Sequence, residues 1–115
     1  MKADEIVKAL QEGKRFQNST KSFRLRYGSS LEGLGLLPYR LVEAILNDEP
    51  SAVFYSYGTP IAWTRGDGGA WVVPAVRYSV TTSKHQNTMR QALSLVSPEP
   101  LVRLDERGIP LLEED

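Results

Sequence analysis

The residues of this chain best suited to chemistry stand together in one run, Thr81-Thr82-Ser83-Lys84-His85-Gln86, inside the stretch of residues 77–90. Three hydroxyls, an ammonium and the only imidazole of the sequence fall within it. Val76, Tyr78 and Val80 share one face of a period-two segment just before the run. Met89, Ala92, Leu93 and Val96 form a stripe of near-four-residue period just after it. The run therefore reads as a strand turning directly into a helix, where backbone N–H groups, hydroxyls and a ring nitrogen converge on a small volume. The chemistry open to it is contact with a phosphate or similar anion, or proton transfer by the imidazole.

A structural account covers much of the same run. Ser83-Lys84-His85-Gln86 matches the Ser-x-x-Gln capping box, with Ser83 binding the Gln86 N–H and the Gln86 amide reaching back. Thr81 and Thr82 then stand at the strand exit, where hydroxyls satisfy loose backbone groups. His85 lies four residues before Met89 and eight before Leu93, so it falls on or beside the buried stripe. Its ordinary role is a partly buried neutral imidazole bonded to a strand backbone or a tyrosine hydroxyl. Its functional role, acid/base or phosphate contact with Lys84 adding charge, needs a second group from Thr81, Thr82, Tyr55, Tyr57 or Tyr78. Neighbouring helical residues do not face one another, which disfavours a Ser–Lys or Ser–His nucleophile pair here. No catalytic residue is assigned.

The rest of the sequence bounds the function. Net charge is zero, with 14 basic and 14 acidic residues, which argues against a DNA mimic and a strongly basic nucleic-acid coat. Charge is unevenly spread all the same: Lys14, Arg15, Lys21, Arg24 and Arg26 occur with no acid in residues 13–30, and acids dominate after residue 97. Cysteine is absent and histidine occurs once, which excludes disulfide scaffolds, thiol chemistry and multi-histidine or cysteine metal sites. No metal or cofactor is implied. No apolar run approaches a membrane span and no signal-peptide core is visible, so the expectation is a cytoplasmic protein without a membrane partner.

The elements that must position the run follow from periodicity. Residues 3–11 read as a short amphipathic helix stopping at Gly13. Residues 22–27 alternate strictly, with Phe23, Leu25 and Tyr27 on one face and Arg24 and Arg26 on the other. Those outward arginines beside aromatic positions suit a nucleic-acid surface, or the solvated face of an edge strand. Residues 31–37 form a packed glycine-containing loop, and Pro38 opens a helix with an apolar stripe of Leu41, Val42, Ile45 and Leu46. Residues 51–57 and 59–64 are strands, with Gly58 as a bend or bulge. Residues 65–69 are a turn whose Arg-Gly-Asp is turn chemistry rather than an adhesion motif. Trp63 and Trp71 flank that turn as a cross-strand aromatic pair, and residues 70–74 and 76–80 are strands. The helix through Arg90 ends before Ser97-Pro98. The tail, residues 97–115, contains a small hairpin turning at 105–108, with Pro110 on an edge. The 115 residues make one α+β domain: a curved antiparallel sheet of four to six strands with two or three helices packed on one face.

Ser56-Tyr57-Gly58-Thr59-Pro60-Ile61-Ala62, followed after a hairpin by Tyr78-Ser79-Val80-Thr81-Thr82-Ser83-Lys84-His85-Gln86, resembles a small uncharacterised domain family of bacteriophages, plasmids and scattered prokaryotic genomes. Its pattern is a Ser-Tyr-x-Thr-x-Ile-Ala strand and a Thr-Thr-Ser-x-His helix start, matched over residues 53–95. The resemblance implies a phage or mobile-element accessory protein, resident in the host cytoplasm if phage-encoded, and carries no catalytic role. The expectation is a non-enzymatic binding module contacting nucleic acid or a host protein. Its surface combines Arg24, Arg26, Tyr57, Thr81, Thr82, Ser83, Lys84, His85 and Arg90. The alternatives are a small enzyme acting on a phosphate-containing substrate through His85, and a homo-oligomer paired through the apolar tail of residues 101–112.

Overall fold

A computed structural model describes residues 3–28, 30–66, 69–97 and 99–111. In chain order its elements are α1 (Ala3–Glu12), β1 (Phe16–Gln17), β2 (Phe23–Tyr27), α2 (Tyr39–Asp48), β3 (Ala52–Ser56), β4 (Thr59–Thr64), β5 (Trp71–Pro74), α3 (Val80–Val96) and β6 (Val102–Leu104). The six strands form one open, curled sheet in sequence order. Four pairings are antiparallel: those of β1 with β2, β3 with β4 and β4 with β5 join strands linked by short connections, whereas the chain between β2 and β3 carries α2. The fifth, β5 with β6, is parallel, with α3 supplying the long crossover that such a pairing needs. The protein is α+β.

The sheet is covered on both sides. Every residue of β3 and β4 is buried, the signature of central strands packed on two faces rather than one. Ile6 and Ala9 of α1 and Met89, Ala92 and Leu93 of α3 pack with Phe23, Leu25 and Phe54 on one face. Leu41 and Ile45 of α2 pack with Val53, Tyr55 and Trp63 on the other. Two helices thus share one face as expected, and α2 takes the opposite one. Leu46, placed in the α2 stripe by its spacing, is exposed. The Trp63 side chain is fully buried, and its indole N–H donates to Asp48 Oδ2 at 2.8 Å, leaving no unpaired polar atom in that layer's largest residue.

Several local expectations are corrected. Gly58 neither bends nor bulges a longer strand: Tyr57 and Gly58 form a two-residue reversal between β3 and β4, and the register shift lies at Phe54/Tyr55. Residues 76–80 are not a strand, since Ala75 N–H closes onto the Leu104 carbonyl and α3 begins at Val80. The helix cap is Ser79, whose Oγ accepts the Thr82 N–H at 3.1 Å, so Ser83 lies inside the helix and makes no capping box. Trp63 pairs with Val72, and Trp71 with Thr64. That one-residue offset sends the two indoles to opposite faces, Trp71 against Phe54 at 5.3 Å. Strand β2 is not an edge, because β1 pairs along it. The tail hairpin is present, with Asp105 Oδ1 accepting the N–H groups of Arg107 and Ile109. Of the glycine turn, Asp67 and Gly68 lie outside the described residues, as does Leu112 of the tail. Among the described residues no helix is long and apolar enough to cross a membrane.

Candidate functional site

Ser79 starts α3 so that Thr82, His85, Gln86 and Met89 face the sheet. Gln86 Nε2 donates to the Val76 carbonyl at 2.9 Å, which ties the β5–α3 connection to the helix. Ser56, the last residue of β3, is 1% exposed and lies between the two polar groups of that helix face. Its hydroxyl donates to Thr82 Oγ1 at 3.1 Å and stands 2.7 Å from His85 Nδ1. A serine hydroxyl carries one proton; given to Thr82, it leaves Nδ1–H of His85 as donor to Ser56. The hydrogen bonds thereby assign the tautomer and leave the lone pair on Nε2, which has no hydrogen-bond partner among the described residues. Burial holds the His85 pKa below its ordinary 6.5, so the ring is neutral at neutral pH.

The imidazole belongs to a row of three rings. Its plane stacks on Phe23 at 4.8 Å and 11°, and on Tyr57 at 5.7 Å and 29°. Phe23, opposite Ser56 in the sheet register, is fully buried, whereas Tyr57 is 60% exposed. The row therefore begins in the core and ends at the surface.

Tyr57 is held there by an unusual backbone. Its φ is 50° and that of Gly58 is 80°, the left-handed pair of a type I′ hairpin turn. Asparagine or glycine normally takes the first position, because a bulky side chain is disfavoured in this region. The Tyr57 N–H donates to the Ser22 carbonyl at 2.8 Å, which sets the turn of residues 18–22 against it. On the other side, the loop of residues 31–37 is locked to the same hairpin. The Leu36 N–H donates to Thr59 Oγ1 at 2.9 Å. Gly35, with φ 51°, approaches so closely that a Cβ would stand 2.7 Å from Thr59 Cα and 2.8 Å from the Gly58 carbonyl oxygen. Thr81, Lys84, His85, Asn87 and Thr88 line a cavity of about 420 Å³ beside the ring row. Lys84 and Lys21 make no ion pair among the described residues.

The residues singled out from the sequence fall into three groups. Thr82, His85 and Tyr57 are brought together, with Thr81 and Lys84 on the rim. Arg24 and Arg26 are drawn away: Glu32, from the loop after β2, pairs with Arg24 at 2.6 Å and with Arg26 at 3.1 Å. The Arg24 guanidinium also covers the Tyr55 ring, and Arg26 binds the Gln17 amide oxygen at 2.9 Å. Ser83 and Arg90 point to the other flank of α3, where they line a separate cleft with Arg77 and Arg103.

Phe23 and Ser56 belong to the site and were not singled out for it. Phe23 reads as core by its alternation, and Ser56 as one of many strand hydroxyls. The signal in the sequence was the adjacency Ser56-Tyr57-Gly58, which becomes legible only once the hairpin is known to reverse there.

Comparison with known proteins brings in no activity: no curated protein and no solved structure matches the chain. Residues 6–97 match a family of unknown function (DUF8033), a span that takes in most of α1, the ring row and all of α3. The chain belongs to that family.

Proposed function

We propose that the protein is a non-enzymatic module that binds single-stranded nucleic acid, with Tyr57 as the stacking platform for a base. The observation that carries this reading is Tyr57 itself: an exposed ring, stacked on His85, in a left-handed turn position that costs a bulky residue energy. Strained, exposed aromatics supported from beneath are suited to bases, every one of which offers a π-face. Lys84 and Lys21, with the hydroxyls of Thr81 and Thr88, supply cation and hydrogen-bond contacts for a strand passing the ring. The neutral His85, pinned through Nδ1, serves as the rigid second layer of the platform and presents Nε2 as an acceptor.

The enzymatic alternative rests on that same Nε2 lone pair. Ser56, the hydroxyl nearest the ring, is buried and already committed to Thr82, so it offers no nucleophile, and the binding reading is preferred. The resemblance to a small phage and plasmid domain family supports an accessory role for such a module, in the host cytoplasm if phage-encoded.

The test is fluorescence anisotropy of a labelled oligothymidylate against the full chain over a salt series. Saturable binding that weakens with salt, with a log–log slope near 0.7 per phosphate contacted, is expected. Absence of binding at low salt overturns the reading and leaves a protein partner for this surface.

A further inference from the structure

The flank of α3 opposite the ring row carries a second polar cleft. Arg77 from the β5–α3 connection, Arg90 from α3 and Arg103 from β6 line a cavity of about 170 Å³ together with Ser83 and Asn87. It adjoins a broader cleft of about 760 Å³ that runs past Gln91, Ser94 and Glu99. The walls are fixed: Arg103 Nε donates to the Val73 carbonyl at 2.9 Å, and Gln86 holds the connection by the Val76 carbonyl. Arg77 and Arg90 make no ion pair among the described residues, in contrast to Arg24, Arg26 and Arg40. Among the described residues no acid lines the smaller cavity. Arg77 and Arg90 thus bring two guanidiniums to one small polar cavity in a chain of zero net charge. Their mutual repulsion is relieved by an anion, and planar N–H forks match the oxygens of phosphate.

We infer that this cleft is a phosphate subsite, with Arg90 and Arg77 as the principal contacts and Ser83 and Asn87 as neutral donors. The source of the phosphate rests on the binding function proposed above: it is a backbone phosphate of the strand whose base lies on Tyr57. His85 and Arg90 are five residues apart, which turns the helix by about 140° and advances it by about 7.5 Å. One strand reaches both only by crossing the solvent face of α3 over Lys84, Asn87 and Gln91. A trinucleotide or longer ligand therefore engages both sites, and a mononucleotide engages one.

The experiment follows the arginine Nε–Hε resonances of the full chain during titration with inorganic phosphate, then repeats the oligothymidylate salt series with Arg77→Gln and Arg90→Gln. The expected result is saturable shifts at Arg77, Arg90 and Arg103 with Arg40 and Arg107 unmoved. Arg90→Gln should weaken phosphate binding about tenfold, as for loss of a charged hydrogen bond, and each variant should lower the oligonucleotide salt slope by about 0.7. Non-saturable shifts spread evenly over all arginines mean general screening only and overturn the inference. Oligonucleotide binding with an unchanged slope in both variants, and no phosphate shifts, also overturns it while leaving the Tyr57 platform intact. Saturable phosphate binding with no oligonucleotide binding keeps the subsite, assigns it to a small phosphorylated ligand, and removes the nucleic-acid reading.

Discussion

Replacing Tyr57 with asparagine keeps the β3–β4 hairpin and removes its exposed ring. Two terms set the effect on stability. A left-handed backbone costs an ordinary L-residue about 1–2 kcal/mol, and asparagine, which bonds locally there, escapes much of it. Against this gain stands the lost stack on His85, worth about 0.5–1.5 kcal/mol for an aromatic pair and toward the low end here because the ring is 60% exposed. The terms nearly cancel, so stability should stay within about 1 kcal/mol, and Tm within about 4 °C for a domain of this size. Binding has no such compensation. Base stacking on an aromatic ring contributes about 1–3 kcal/mol, so oligothymidylate affinity should fall by about 5- to 150-fold. Tyr57→Phe, which preserves the π-face, should retain most of it. The assay pairs urea denaturation followed by circular dichroism with anisotropy at fixed salt. Unchanged affinity in a folded Tyr57→Asn variant refutes the platform. A collapse in Tm accompanying the loss of binding refutes the separation of roles, and Tyr57 is then part of the core.

Three further outcomes test the support beneath the ring. Ser56→Ala leaves His85 Nδ1 and Thr82 Oγ1 without their shared partner; at about 1–3 kcal/mol per orphaned buried group it should cost about 2–6 kcal/mol in urea denaturation, and a loss below about 0.5 kcal/mol would show that the bridge is not made. Because burial lowers the folded pKa of His85 below its ordinary 6.5, the unfolded chain takes up the proton first on acidification. The stability tied to the neutral ring is therefore full above 6.5 and is lost as pH falls through the lower folded value; a ring whose NMR titration lies at or above 6.5 contradicts this. Tyr78 has a buried hydroxyl with no hydrogen-bond partner among the described residues, and burial pushes its pKa up to about 12. Tyr78→Phe should accordingly match or exceed the parent by up to about 1 kcal/mol, whereas a clear loss would reveal a partner for that hydroxyl.

How far the sequence reveals the molecule depends on the range of the interaction that decides each feature. Helices α1 and α2, strand β2 and the tail hairpin are set by local period and turn chemistry, and they lie close to where periodicity places them. The two-residue reversal at Tyr57-Gly58 was hidden because tyrosine is the wrong residue for a type I′ turn. The rule fails at the position to which the binding function is assigned, which is where local consistency is expected to break. The helix start is ambiguous in the sequence for a similar reason. Both Ser79 and Ser83 can cap, and the choice fell to the pairing of Ala75 with Leu104, a contact across 29 positions of sequence that periodicity does not report. Parallel pairing of β5 with β6 depends on the same crossover. His85 could be placed on the buried stripe by counting, but its partner could not, because Ser56 reaches it only after two strands and a helix are packed. Arg24 and Arg26 appeared free for a ligand until the loop carrying Glu32 folded across them.

The most direct test of the central claim is the aromatic ¹H–¹³C spectrum of the full chain with and without saturating unlabelled oligothymidylate. A base lying on the outer face of the ring row shifts Tyr57 upfield strongly, His85 weakly and Phe23 hardly at all, in the order of their distance from solvent. Saturation of binding with all three rings unmoved contradicts the account, since the strand then lies elsewhere and Tyr57 is no platform.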